Sequence, residues 1–229
     1  MHQHQWQDFA HNRNLALNAC KDKADYVLFF DADDLIEGTF QLPHLQYDAY
    51  HFQFTNEQYS LRYTRRLIVK NNQKFAWKGA LHEVIDSKSP KQEYIIEGDY
   101  LVISRRKGSR NFDPNKALND ALVLERAFQE EEDKDYLPRY AFYCGQSYRA
   151  HAAVDPTYLD KAIEWYKIRT ELNSPWGDVY DDEKYVSYEN LGLMYEEKNQ
   201  HDEAIYYWQK GISLDPKRAE CWYELARLY

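Results

Sequence analysis

The spacing of apolar residues changes once along the chain, from a mixed pattern before residue 110 to a helical one after it. Trp6, Phe9, Ala10, Leu15, Leu17, Ala19 and Cys20 predict a helix over residues 6–20. Tyr26-Val27-Leu28-Phe29-Phe30 then forms an uninterrupted apolar run, with the length and aromatic content of a strand buried on both faces. It leads directly into Asp31, Asp33 and Asp34, and period-two alternation along a strand would put Asp31 and Asp33 on one side of the backbone. Further strands are predicted at 47–54, 61–69 and 94–104, the last interrupted by a turn or bulge at Gly98-Asp99. Residues 71–90 carry Asn, Lys, Gly and Pro and read as loops around Ala76 to Ile85. The first part is therefore expected to be α/β.

From Asn115 onward the period is that of helices. Asp113-Pro114 has the signature of an N-cap followed by proline at the first helical position. Ala117, Leu118, Ala121, Leu122, Leu124 and Phe128 supply the apolar face of that helix. A repeat of 34 residues follows, placing Tyr188, Leu191, Gly192, Tyr195, Ala204, Trp208, Gly211 and Pro216 in one copy. Trp222, Leu225, Ala226 and Tyr229 open the next; Cys144, Gly145, Tyr148, Ala162 and Tyr166 mark an earlier one, with an insertion near Ala152 to Pro156. The alternation of large and small residues at these offsets resembles the tetratricopeptide repeat, in which small residues let paired helices approach closely. Such a repeat buries its face only against its neighbours, so an all-α array is expected over residues 137–229. Residues 111–136 form a connecting helix and 1–110 a separate domain. The last copy holds only its first helix, and the natural chain is expected to continue beyond Tyr229.

Composition refines this division. Tyr occurs 21 times and Trp 6 times, which suits interlocking helical repeats or a sugar-stacking surface. The net charge of −9 is uneven: residues 1–110 hold 15 Lys and Arg against 14 Asp and Glu, and residues 111–229 hold 14 against 24. Two units with different tasks follow from that asymmetry, and the acidic second unit is no partner for nucleic acid. Cys20, Cys144 and Cys221 are odd in number and widely separated, each in an apolar helical context. They read as reduced core residues of a cytoplasmic protein. No apolar stretch reaches the roughly 20 residues of a membrane span, and the N-terminus lacks a signal-peptide pattern.

A buried strand ending in carboxylates calls for positive charge, most simply a divalent cation carrying a phosphorylated ligand. Upstream of the carboxylates stands Arg13-Asn14-Leu15-Ala16-Leu17; downstream come Arg65-Arg66-Leu67-Ile68-Val69-Lys70 and Trp77-Lys78-Gly79-Ala80-Leu81-His82-Glu83. In this order they resemble the family-2 glycosyltransferases of GT-A (Rossmann-like) fold, specifically members that carry tetratricopeptide repeats after the catalytic domain. In that family an "RN…AL" helix precedes an Asp-x-Asp strand, and a "W-x-G-x-x-H-E" loop follows.

The resemblance implies a metal-dependent glycosyltransferase using a nucleotide-sugar donor, UDP-linked in the first expectation, with Mn²⁺ or Mg²⁺. Asp33 would bind the metal, Asp31 the metal or the donor ribose, and His82 would complete the metal site, tilting the choice to Mn²⁺. Arg13 and Asn14 would lie on the donor side, with Lys107 and Arg110 in a basic loop able to close over the diphosphate. Glu83 or Asp34 would act as the base taking the proton of the acceptor hydroxyl, Glu83 preferred because it sits in the acceptor-side loop. The acceptor would be a protein, peptide or glycan presented by the repeats.

Each residue also has a structural reading: a solvated acidic turn, a loop histidine, an Arg13 that pairs with a structural carboxylate, a Trp77 that packs in the core. The resemblance further implies a strand-helix-strand portion before Trp6, where only five residues stand. On that expectation the chain is the second half of a GT-A domain followed by repeats, and the 26–31 strand loses the partners that the first strands would supply. The competing function is a non-catalytic, repeat-based interaction module carrying a glycosyltransferase remnant.

Overall fold

The computed structural model describes residues 5–89, 91–105, 107, 112–173 and 178–229, with the backbone alone for 178–181. It divides into two compact units, Met1–Asp113 and Pro114–Tyr229. The first is rich in strand and the second is helical throughout. No helix among the described residues is long and apolar enough to cross a membrane.

Helix α1 (Phe9–Ala19) is the one long helix described in the first unit. Six strands form its main sheet: β1 (Tyr26–Leu28), β2 (Leu35–Gly38), β3 (Ala49–Asn56), β4 (Arg62–Lys70), β7 (Glu93–Ile95) and β8 (Tyr100–Ser104). The order is β1-β4-β3-β8-β2, with β7 also on β3. A hairpin of β5 (Ala76–Lys78) and β6 (Val84–Asp86) stands apart, within the stretch expected to be loop. β3 is the centre: it runs antiparallel to β4 on one side and parallel to β7 and β8 on the other. The predicted break at Gly98-Asp99 separates β7 from β8. Gly38 carries φ +84°, and a Cβ there would lie 2.2 Å from the Asp99 carbonyl oxygen, so the β2–β8 corner admits only glycine.

Alternation along β3 sorts the core. Tyr50, Phe52 and Phe54 join Leu67, Ile68, Ile96, Tyr100 and Val102 on one face. Ala49 and Val69 pack on the other with Ala10 and Leu17 of α1 and with Phe75, Trp77 and Ile85 of the hairpin. β1 departs from expectation. It is a three-residue edge strand paired with β4 alone among the described residues. Val27 is buried, but Leu28 is 55% and Phe30 39% exposed, so the run is not buried on both faces. An edge strand has no neighbour on its outer side to cover alternate side chains or extend the ladder.

The second unit comprises α2 (Lys116–Glu130), α3 (Leu137–Ala152), α4 (Leu159–Glu171), α5 (Asp178–Glu197), α6 (His201–Leu214) and α7 (Glu220–Leu228), each packed on the next. The cap expected at Asp113-Pro114 falls too early. Asn115 holds the N-cap position without a side-chain cap bond, because Pro114 and Asn115 form a turn before the helical ladder begins. The repeat glycines lie where neighbouring helices crowd them. A Cβ on Gly192 of α5 would stand 2.2 Å from Nε1 of Trp208 on α6, and one on Gly145 of α3 would stand 3.0 Å from the Tyr166 ring of α4. A buried charge cluster ties α3, α4 and α5: Glu183 accepts from Arg139 at 2.9 Å and lies 4.0 Å from the fully buried Arg169. Burial raises the pKa of Glu183, and the two arginines oppose that rise.

Two outcomes follow. Gly192→Ala should lower the stability of the second unit by about 1–3 kcal/mol through overpacking, read as a lower urea midpoint at unchanged slope. In the first unit, Glu93 on β7 pairs with His51 of β3, with Arg66 of β4 at 2.7 Å and with Lys91 at 3.7 Å. Burial alone would raise its pKa, but bonds from His51 and Arg66 outweigh it and bring the value down to about 2. A depressed carboxylate stabilises the fold above its unfolded pKa, and that contribution disappears as pH falls towards 2. Urea midpoints of wild type should therefore drop across that acid window more steeply than those of Glu93→Gln.

Candidate functional site

α1 begins at Phe9 because the Asp8 carboxylate caps it, accepting the His11 backbone N–H at 2.6 Å. Helical geometry then aligns Ala10, Arg13, Asn14 and Leu17 on one stripe. Ala10 and Leu17 enter the core, so the two polar residues between them are carried against the sheet and hairpin. Asn14 spends its whole amide on one residue. Its Nδ2 donates to the Trp77 carbonyl at 2.8 Å, and its Oδ1 accepts the Trp77 N–H at 2.8 Å. Expected on the donor side, Asn14 instead clamps α1 to β5.

Arg13 is the hub. Its guanidinium contacts Asp31 at 2.7 Å and Glu83 at 2.9 Å through different nitrogens, and it lies over the Trp77 ring at 4.5 Å. Arg65 of β4 approaches the same carboxylates from the sheet, 3.4 Å from Asp31 and 3.9 Å from Asp34, with its guanidinium 5.0 Å from the centre of the Phe54 ring. Burial pushes Asp31 up, yet Arg13 and Arg65 more than reverse this and hold it below the usual carboxylate range. Asp34 goes the other way: burial first, then the neighbouring Asp31, raise its pKa. Two carboxylates three residues apart thus have opposite proton affinities.

The strand geometry assumed for the acidic run does not extend to the carboxylates. Phe29 still donates to the Leu67 carbonyl at 2.9 Å, but residues 31–34 form a turn closed by Asp34 N–H on the Asp31 carbonyl at 3.1 Å. Period-two alternation does not apply in a turn. Asp31 faces Arg13 and Arg65, whereas Asp33 accepts the Lys107 N–H at 2.8 Å and its carbonyl accepts from Arg105 Nε. Lys107 is exposed, its Nζ 3.7 Å from Glu57. Arg110 lies outside the described residues. His82 is exposed and adopts a left-handed backbone, φ 53°, in the turn that also contains Gly79 at φ 102°.

These partners bear on whether the residues suit a divalent cation. Both oxygens of Asp31 already face guanidinium groups. Among the described residues, no three His, Cys, Asp or Glu side chains gather closely enough to hold a metal ion. Asp31, Asp33 and His82 are thus not gathered into one such group. What the fold does assemble is a carboxylate–arginine network reaching from helix, turn and strand to the hairpin loop. Arg65 belongs to it without having been assigned a role, and Arg105 holds the Asp33 carbonyl beside it. In the sequence Arg65 is marked by the Arg65-Arg66 pair that precedes the apolar Leu67-Ile68-Val69.

A family model described as the tetratricopeptide repeat matches residues 185–218, which span most of α5, all of α6 and the turn after it. No curated protein matches the chain.

Arg13→Ala should leave Asp31 and Glu83 without their shared cation. A loss of about 2–3 kcal/mol is expected for the first unit, together with a shift in tryptophan emission as the charge leaves the Trp77 face. Arg13→Lys should restore little of it, since a point charge cannot bridge two carboxylates and stack at once. Urea unfolding followed by fluorescence reads both effects.

Proposed function

We propose that the first unit is a nucleotide-sugar site of the family-2 glycosyltransferase type, related to the GT-A fold, and that the repeats present its acceptor. One observation carries the reading. The three sequence motifs of the resemblance meet at one guanidinium: Arg13 from the first, Asp31 from the second, Trp77 and Glu83 from the third. These positions are as many as 70 residues apart in the chain, and solvated surface charges give no reason for all three to converge.

In the proposed transfer the bond between the sugar's C1 and the β-phosphate oxygen breaks, and the nucleoside diphosphate leaves with the electron pair. The acceptor oxygen bonds to C1 and its proton passes to a carboxylate. Glu83 suits that role better than Asp34. Its side chain is 13% exposed against 4% for Asp34, and Arg13 Nε orients it. Arg13 and Arg65 are positioning residues that hold the carboxylates in place, and both lower the pKa of Asp31. No step is assigned to a metal ion; the dependence on Mn²⁺ or Mg²⁺ that the resemblance implies through Asp33 is part of what the experiment decides.

The second reading is a non-catalytic interaction module, favoured by the tetratricopeptide match at 185–218 and by the protein–protein contacts that such arrays make. Calorimetric titration of the chain with UDP and other nucleoside diphosphates, with and without Mn²⁺, separates the two. Metal-dependent binding that disappears in Asp33→Ala supports the enzyme. Absence of binding to every nucleotide, with or without metal, overturns it and leaves the interaction module.

A further inference from the structure

Two cavities of the second unit, about 360 and 670 Å³, adjoin one another along α4, α5 and α6, and they share Lys167, Tyr195 and Lys198 as lining. Their walls combine two chemistries. Tyr195 and Tyr207 stack at 5.4 Å with rings 7° from parallel, and Tyr206 stands beside them, half exposed. Around the rings, the lining holds five carboxylates against two ammonium groups.

The two lysines are already committed. Lys198 ion-pairs with Asp160, and Lys167 Nζ lies over the Tyr195 ring at 5.3 Å. Just outside the lining, Lys210 Nζ sits 5.3 Å from the Tyr206 ring. The tyrosines of this groove therefore accept ammonium groups within the folded chain itself. Four of the carboxylates, Glu164, Glu171, Asp202 and Glu203, are exposed and take no ion pair among the described residues. Asp202 and Glu203 have a local reason to be acidic, since they occupy the first turn of α6. Glu164 and Glu171 have none: they lie in the middle and at the end of α4, where negative charge does nothing for the helix.

From the cavities, the rings and this charge balance, we infer that the groove docks a lysine- and arginine-rich protein segment. Its cations would meet the α4 and α6 carboxylates, and its side-chain stems or guanidinium faces would lie on the tyrosines. Charge complementarity decides the sign. An acidic segment would face a surplus of three negative charges, with both lysines engaged elsewhere, whereas a basic one meets unpaired carboxylates beside rings that take cations. The proposal rests on the second unit alone, so failure of nucleotide binding in the first unit would leave it standing.

The test uses the full chain and two fluorescently labelled peptides of equal length, one alternating lysine with alanine and the other glutamate with alanine. Anisotropy should show the basic peptide binding at low salt, with affinity falling as ionic strength rises to about 0.15 M. The acidic peptide should not bind. Glu164→Lys with Glu171→Lys should weaken the basic peptide by about tenfold or more. Tyr206→Ala, at an exposed ring, should also weaken it while the far-ultraviolet helix signal is retained. Glu130→Lys with Glu132→Lys carries the same charge change on α2 and the residues after it, which line neither cavity, and should alter binding by no more than about twofold. The proposal is overturned by binding of the acidic peptide instead, by equal loss in the α2 control, or by no binding of the basic peptide to wild type.

Discussion

The candidate site depends on the docking of α1 by a four-residue stripe. Ala10 and Leu17 bury against Val27, Val69 and Trp77, and helical periodicity leaves Arg13 and Asn14 no choice but to follow them inward. Asn14 then locks the hairpin by two bonds to the backbone of one residue, Trp77, the arrangement a side-chain amide is suited to make. Arg13 is delivered to within 3 Å of two carboxylates that the chain supplies 18 and 70 residues later. Hydrophobic burial and side-chain chemistry act here on the same helix face, and the position of the charged group follows from the apolar contacts on either side of it.

Within the network, environment divides like groups into unlike roles. Asp31 is held ionised by two guanidinium groups, whereas Asp34, close by and more deeply buried, is pushed towards the protonated form. Arg65 serves both and sits over Phe54, so its charge is partly withdrawn from solvent on one side by an aromatic face. A guanidinium can do this because it is planar and offers several donors in fixed directions. The second unit shows a related device in Arg139, Glu183 and Arg169, where one buried carboxylate is shared by arginines from two other helices. There the ions join helices to one another, and they lie apart from the groove that α4, α5 and α6 form.

Much of the repeat region was legible in the sequence. Gly145, Gly192, Ala162 and Ala204 stand where large rings or neighbouring helices approach, and the pattern of large and small residues names those contacts directly. Local contacts between consecutive helices leave a periodic trace, so periodicity reads them. The strand-rich unit was less transparent. The predicted runs met β1, β3, β4, β7 and β8, but β2 and the β5–β6 hairpin were not foreseen. Each is four residues or fewer, too short for alternation to distinguish it from loop; β2 is held by β8, far along the chain, and the hairpin is tied to α1 through Asn14.

The sequence by itself drew attention to the residues around the acidic run: Asp31, Asp33 and Asp34 through the apolar run that leads into them, and Arg13, Trp77 and Glu83 through the resemblance. Their relations were decided only by the tertiary structure. Placing Asp31 and Asp33 on one side assumed that a strand continued to the carboxylates, whereas the chain turns after Phe30 and sends the two towards different partners. The apolar run became an exposed edge, and Asn14 became a clamp. The physical reason is the same in each case. Side-chain direction follows from backbone conformation at that residue, and there the conformation is set by hydrogen bonds and burial against residues tens of positions away, which no local pattern encodes.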